Sequence, residues 1–346
     1  MHLSQLILSP FSWLYGLGVR LRNHLYNIDY TKSHEFDLPI IAVGNLSVGG
    51  TGKSPMVEWL ATWLQNNYNL AILSRGYGRK TRGFHLANKA SNAKQLGDEP
   101  FQFYRKFGGR ISVAVGEERA LAIPEILFHE PDTNLIILDD AFQHRKVKAD
   151  AYILLTDFSY PFYEDYLMPS GRLREPKEGA IRADVVVVTK CPKDLSVEKR
   201  ISINNEINKF TKKGTSVFFT TLSYGLPYPL FDIGQSEMSN SVIPVSGLAN
   251  ASAFNAYLKE KYHVAEYFNF RDHYEYKEID IKRISEIAQK KNASIVITEK
   301  DASKWVEKDL SELAKELPVF VLPVRHQFLA EEESFKQILI RMIEKN

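Results

Sequence analysis

The chain has one cysteine, Cys191, in 346 residues. No internal disulfide can form, which excludes a disulfide scaffold and fits a reducing compartment. Cys191 follows the apolar run 184–189 and reads as an inert structural thiol. A strong charge bias is also missing. Lys and Arg number 44 against 42 Asp and Glu, a net charge of +2, which does not mark a nucleic-acid binder. There is no internal repeat and no low-complexity segment. The stretch from Leu3 to Val19 has no formally charged residue but is short for a membrane span of about 20 apolar residues. It is interrupted by Ser4, Gln5, Ser9, Pro10 and Ser12, and it lacks the basic start and small-residue cleavage site of a signal peptide.

That stretch still carries a pattern. Leu3, Leu6, Ile7, Phe11, Leu14, Leu17 and Leu21 fall at helical spacing, with Trp13 and Tyr15 among them and Arg20 and Arg22 after. Two readings fit: an amphipathic helix lying on a membrane, or a helix packed on the protein's own core. Beyond it, Val-, Ile- and Leu-rich runs at 38–44, 70–74, 111–115, 135–139, 151–156 and 184–189 suit strands covered on both faces. Helical segments at 54–65, 99–106 and 117–129 lie between several of them. We expect an α/β fold, a doubly wound parallel sheet, with ligands at the carboxyl ends of the strands. The stretch Tyr224–Gly234 is rich in proline and glycine and reads as a connection. A second, smaller α/β domain follows, with strands at 242–246, 265–268, 294–298 and 319–322 and helices at 251–259, 278–290 and 330–344. The expected domains are 1–225 and 226–346.

The most informative segment is Ser47-Val48-Gly49-Gly50-Thr51-Gly52-Lys53-Ser54, after the first strand and before the first interior helix. Strand, glycine-rich loop, Gly-Lys-Ser and helix form a phosphate cradle, which makes the expected sheet P-loop NTPase-like, although Ser47 stands where the motif has glycine. Lys53 is expected on the terminal phosphates and the Ser54 hydroxyl on Mg²⁺. The apolar strand ending in Asp139-Asp140 reads as the second nucleotide element, with one carboxylate near the metal. The guanine-reading Asn-Lys-x-Asp is missing: the comparable place reads Val188-Thr189-Lys190-Cys191-Pro192, so ATP is expected.

The loop Ser74-Arg75-Gly76-Tyr77-Gly78-Arg79-Lys80-Thr81-Arg82-Gly83 brings cations to the same sheet edge and suits an anionic, phosphorylated substrate. Asp98 in Gly97-Asp98-Glu99-Pro100 fits a helix N-cap and equally a base for a substrate hydroxyl. Pro169–Pro176 is a further loop, with Arg172, Arg174 and Glu175. Asp272 beside His273 could polarise an imidazole, although a lone histidine is usually structural.

Taken together these motifs resemble the tetraacyldisaccharide 4'-kinase family, the lipid A 4'-kinases of Gram-negative bacteria. The resemblance rests on residues 43–55, 74–79, Gly97-Asp98-Glu99-Pro100, Asp139–His144, Gly171–Glu175 and Asp272-His273, in matching order over most of the chain. It implies ATP-dependent phosphorylation of the 4'-hydroxyl of a tetraacyldisaccharide 1-phosphate at the cytoplasmic face of the inner membrane, without nucleic acid or an obligate protein partner. It further implies Asp98 as the base assisted by His273, and Ser54, Asp139 and Glu175 at Mg²⁺. Asp140 would stand near the transferred phosphoryl, and Arg75, Tyr77, Arg79, Arg119, His144 and Arg172 would contact substrate. The competing readings are a soluble P-loop small-molecule kinase or ligase, and a non-catalytic nucleotide switch.

Overall fold

The computed structural model describes residues 3–231, 237–272 and 274–344. Its first domain is built on a nine-stranded sheet. The strands are β1 (Ile40–Asn45), β2 (Leu70–Ser74), β3 (His85–Leu86), β4 (Ser112–Val115), β5 (Leu135–Leu138), β6 (Ala151–Asp157), β7 (Val185–Thr189), β8 (Ser216–Tyr224) and β15 (Val324–Phe328). Their order is β15-β8-β7-β6-β1-β5-β2-β4-β3. The inner seven are parallel, and each edge strand is antiparallel to its neighbour. Strand β1 lies at the centre with all six residues buried, so the loop that leaves it is fixed from both sides.

Helices α1 (Leu3–Asn27), α2 (Lys53–Leu64), α3 (Ala93–Leu96), α4 (Asp98–Phe107), α5 (Arg119–His129) and α6 (Val197–Ile207) belong to this domain. One layer of core joins Val57, Leu60 and Leu64 of α2 to Ile41, Val43, Ile72 and Ile137 of the sheet. Another lies beneath Ile123 and Ile126 of α5.

The second domain is a smaller sheet of β9 (Tyr228–Pro229), β10 (Ser241–Ser246), β11 (His263–Val264), β12 (Phe268–Asn269), β13 (Ser294–Thr298) and β14 (Val319–Leu322). Helices α7 (Ser252–Lys261), α8 (Glu278–Lys291), α9 (Glu299–Trp305) and α10 (Lys308–Lys315) accompany it. The expected domain limit needs correcting at its C-terminal end. Strand β15 pairs with β8, and α11 (Glu332–Ile343) buries Phe335, Leu339 and Ile343 in the first domain's core. Trp59 of α2 lies 5.1 Å from the Phe328 ring and 5.6 Å from the Phe335 ring. The chain therefore leaves the first domain after β8 and returns at β15. The expected connection 224–234 is in part strand, since Tyr228–Pro229 pairs with β14; residues 232–234 of it lie outside the described residues.

Helix α1 does not dock by its apolar stripe. It meets the body through Ser12, which is buried, and through Gly16 and Asn23. Ser12 donates to the Leu167 carbonyl at 3.0 Å, and a Cβ on Gly16 would lie 2.7 Å from Leu167 Cδ1, so a larger residue there would have to push the Leu167 side chain aside. The Tyr15 hydroxyl donates to the Arg174 carbonyl at 2.6 Å, and Asn23 Nδ2 to Glu175 at 3.2 Å. Ile7, Phe11, Trp13, Leu14, Leu17 and Leu21 remain more than half exposed. Burial of each such side chain is worth roughly 1.5–3 kcal/mol, so the row leaves a continuous apolar surface uncovered. No described helix is long and apolar enough to cross a membrane.

Candidate active site

The glycine-rich loop leaves β1 at Asn45 and closes at Lys53, the first residue of α2. Gly52 precedes it at φ +81°, a conformation open to glycine at little cost. The loop is held by its carbonyls. Lys190 Nζ donates to the Gly50 carbonyl, Thr189 Oγ1 to that of Thr51 at 2.9 Å, and His326 Nε2 to that of Gly52 at 2.9 Å. Peptide planes are trans, so fixing the Thr51 and Gly52 carbonyls turns the N–H groups of Gly52 and Lys53 the opposite way. They stand at the positive end of the α2 dipole, where an anion is favoured. Asn45 Nδ2 donates to Thr51 Oγ1 at 2.8 Å, and Val48 N–H to the Arg172 carbonyl at 2.8 Å. Ser47, which replaces the motif's glycine, is buried and bridges Leu173. Ser54 follows Lys53 in the first turn of α2.

Asp139 and Asp140 follow β5, as the sequence pattern requires. Asp140 sits at φ +48°, which turns its carboxylate toward the loop. Its Oδ1 lies 3.7 Å from Lys53 Nζ, and Arg174 grips both oxygens at 2.7 and 3.1 Å. Burial opposes ionisation of Asp140, but the Arg174 hydrogen bonds and the Lys53 charge override it and hold the carboxyl at about 2. Asp139 has the opposite environment. Its Oδ2 accepts from Ser74 Oγ at 2.9 Å, while Oδ1 is buried with no protein partner. Burial first, then the charges of Glu99 and Asp140, push Asp139 up to about 7. Asp139 thus keeps one unpartnered oxygen beside Asp140, although among the described residues no three carboxylate, histidine or cysteine side chains are grouped as a metal site.

Arg119 lies beneath these carboxylates. It is 2% exposed and donates to the Gly116 and Glu117 carbonyls at 2.9 and 3.3 Å. Burial lowers its guanidinium to about 10. His144 is half-buried beside Arg119 and Arg75; burial, then these two charges, lower it to about 4, so its ring is neutral. Arg75 and Tyr77 are exposed on the basic loop. Arg79 is turned inward, paired with Glu117 at 2.6 Å and donating to the Gly83 carbonyl. Arg172 pairs with Asp165 at 3.0 Å and covers the Tyr160 ring at 4.1 Å. Glu175 is fully buried. Arg182 spans both of its oxygens at 2.7 and 2.8 Å, with Gln143 and Asn23 completing the set. The structure therefore places Glu175 under α1, with its lone pairs committed to protein donors.

Asp98 opens α4, one residue inside the helix, with Gly97 at the cap position. Its carboxylate faces the second domain, where Lys304 Nζ of α9 lies 3.2 Å away. A cleft of about 130 Å³ opens there between the domains, lined by Lys80, Lys94, Asp98, Glu275, Lys304 and Glu307. His273 lies outside the described residues; its neighbour Asp272 pairs with Lys300 at 2.7 Å.

A family model described as tetraacyldisaccharide-1-P 4'-kinase matches residues 4–344. The chain belongs to the tetraacyldisaccharide 4'-kinase family. It is 42% identical to the tetraacyldisaccharide 4'-kinase of Flavobacterium johnsoniae over 100% of this chain and 99% of the relative. With that of Phocaeicola vulgatus the identity is 38%, over 98% and 95%. Among solved structures it resembles LpxK from Aquifex aeolicus in complex with ATP, at a TM-score of 0.76 and 29% identity over 98% of this chain and 99% of that one. Within this family fold, three side chains of the site carried no assigned role in the sequence reading. Arg174 was visible beside Arg172, but nothing there indicated which arginine would face Asp140. His326 and Lys304 come from segments far along the chain, and only the fold brings them to the loop and to Asp98.

Proposed function

We propose that the chain transfers the γ-phosphoryl group of ATP to the 4'-hydroxyl of a tetraacyldisaccharide 1-phosphate, at a membrane surface. The observation that carries this reading is the contact between Lys53 of the phosphate loop and Asp140 after β5, at a sheet edge shared with the basic loop and Asp98. A family match from end to end supports the choice of acceptor.

Asp98 accepts the proton of the 4'-hydroxyl as its oxygen attacks the γ-phosphorus. The bond to the β–γ bridging oxygen breaks, and ADP leaves with that electron pair. The carboxylate then passes its proton to solvent. The Gly52 and Lys53 N–H groups and Lys53 Nζ hold the phosphate oxygens in line, where fixed charge is most effective. Arg174 keeps Asp140 ionised and aimed at Lys53. His273 assists the base when the domains close, and Arg75, Tyr77, His144 and Arg172 meet the substrate's phosphate and sugar. Arg79 and Arg119 hold the shape of that edge from beneath. The residues fit Mg²⁺: a hard cation takes oxygen ligands and keeps several from water and phosphate, and Asp139 offers an unpartnered carboxylate oxygen. Ser54 and Asp139 would hold the ion, which when bound would neutralise charge on the nucleotide phosphates. Glu175 is left out of this set.

The acceptor's acyl chains anchor it in a bilayer at about 0.8 kcal/mol per buried CH₂. The exposed apolar row of α1 brings the enzyme to it. The test is transfer of labelled γ-phosphate from ATP to a disaccharide 1-phosphate lipid. Wild type is expected to label the lipid, and Asp98→Ala to lower turnover by about 10²–10⁴ with ATP affinity nearly unchanged. Label released only as free phosphate would favour a nucleotide switch. Transfer to a water-soluble acceptor alone would favour a soluble kinase.

A further inference from the structure

Helix α9 is fixed from within the second domain. The Asp301 carboxylate is fully buried and accepts from the Gly247 N–H at 3.1 Å, the Tyr276 hydroxyl at 3.0 Å and Thr298 Oγ1 at 2.6 Å. Trp305 is buried in the same core. From this base, three charged side chains of α9 reach outward. Glu299 meets Lys106 of α4 at 2.8 Å, and Lys106 also pairs with Glu58 of α2. Lys300 meets Asp272 at 2.7 Å. Lys304, only 8% exposed, lies 3.2 Å from Asp98 and donates to the Tyr274 carbonyl at 3.0 Å.

One ammonium therefore joins the candidate base to the Tyr274 backbone, while Lys300 holds Asp272. An ammonium buried to this degree needs its partners, so the arrangement resists loss of either one. The remaining charged groups of the cleft are Lys80, Lys94, Glu275 and Glu307, and Lys94 and Glu307 already pair with each other at 2.9 Å. We propose that Lys304 is a positioning residue for phosphoryl transfer: it sets the Asp98 carboxylate against the Tyr274 backbone of the second domain and so couples the base to the way the two domains meet. The proposal rests on the reading of Asp98 as the proton acceptor.

The test uses the full chain in detergent micelles, with wild type, Lys304→Met, Lys304→Arg, Asp98→Ala and the Asp98→Ala/Lys304→Met pair. Misplacing a reacting group by about 1 Å costs about 10²-fold, so K304M is expected to lower kcat by roughly that factor. The KM for ATP should stay within about twofold, because the phosphate loop is held by other residues. K304R, which keeps both contacts, should recover most of kcat. In the Asp98→Ala background K304M should cost almost nothing more, because the residue it positions is gone. Wild-type kcat in K304M, with D98A impaired, overturns the role of Lys304 and leaves Asp98 as the base. Equal losses from K304M with and without Asp98 also overturn it, since they mark general destabilisation. Wild-type turnover in D98A instead overturns the reading beneath. If K304M does not fold, Lys304→Gln, which retains a donor without charge, carries the same comparison.

Discussion

His326 gives a prediction whose size follows from the structure. Its Nε2 donates to the Gly52 carbonyl at 2.9 Å, and its Nδ1 lies 2.9 Å from Thr220 Oγ1, which fixes the neutral tautomer with Thr220 as donor. Burial depresses the imidazole from its ordinary 6.5 to about 4. The unfolded chain thus binds a proton at a pH where the folded chain does not. Stability from this group is complete above pH 6.5 and is lost as the pH falls toward 4. At about 1.36 kcal/mol per pH unit the whole window is worth roughly 3 kcal/mol, and about 2 kcal/mol is gone by pH 5. His326→Gln keeps a donor for Gly52 and an acceptor for Thr220 but cannot titrate. Unfolding of both proteins by urea between pH 4.5 and 8 reads the difference directly, since all other titrating groups are shared. H326Q should match wild type within about 1 kcal/mol at pH 7.5 and exceed its stability at pH 5. His326→Leu, which loses both bonds, should be destabilised by about 1–3 kcal/mol at pH 7.5, with the gap closing by about 2 kcal/mol toward pH 5 because leucine does not titrate either, and should bind ATP more weakly. Parallel pH curves for wild type and H326Q would refute the reasoning.

Lys53→Ala should abolish transfer, and turnover within about tenfold of wild type, a difference of about 1.4 kcal/mol, would contradict its place at the phosphates. Arg174→Ala should lower kcat by about 10²-fold, and Arg174→Lys should fail to restore it, because only a planar fork spans both Asp140 oxygens; recovery by lysine would show that charge alone suffices. Serine at Phe11, Leu14 and Leu17 together should weaken flotation with lipid vesicles while leaving turnover of a short-chain acceptor intact; unchanged flotation would move the attachment to another surface. Deleting residues 1–25 should lower turnover of the short-chain acceptor as well, because it removes Tyr15 from Arg174 and Asn23 from Glu175.

Much of the fold was readable because buried parallel strands carry apolar residues on both faces. The runs at 70–74, 294–298 and 319–322 appear as strands with those bounds. The strands of the first sheet that the sequence does not reveal lie toward its edges, β8 and β15 on one side and β3 on the other, where the pattern is mixed. In β15, Val-Arg-His-Gln-Phe, only His326 and Phe328 are buried. An edge strand needs to cover one face, and a buried histidine spoils even that alternation. Losing β15 from view moved the domain limit, since the strand returning to the first sheet brings α11 with it. The N-terminal stripe was legible as a helix, but its two readings differ only in what the apolar face meets. The choice turns on Ser12 and Gly16, small residues that let the opposite face approach the body.

The site divides along the same line. The phosphate loop and Asp139-Asp140 are local: their chemistry follows from a few adjacent residues after a strand, so spacing alone locates them. Glu175 and Arg79 show what spacing cannot supply. Each stands in a motif beside residues that face the site, yet a strand bridge or turn directs it inward, Glu175 to Arg182 and Arg79 to Glu117. Asp98 shows the reverse. Its helix-start position allowed a cap or a base, and the fold places Gly97 at the cap and brings Lys304 across the domain boundary to the carboxylate. A carboxylate spent on capping is satisfied by its own helix. One that meets a nearly buried ammonium from another domain depends on how the domains sit together. That dependence is what a kinase needs if proton acceptance is to wait for closure over the acceptor.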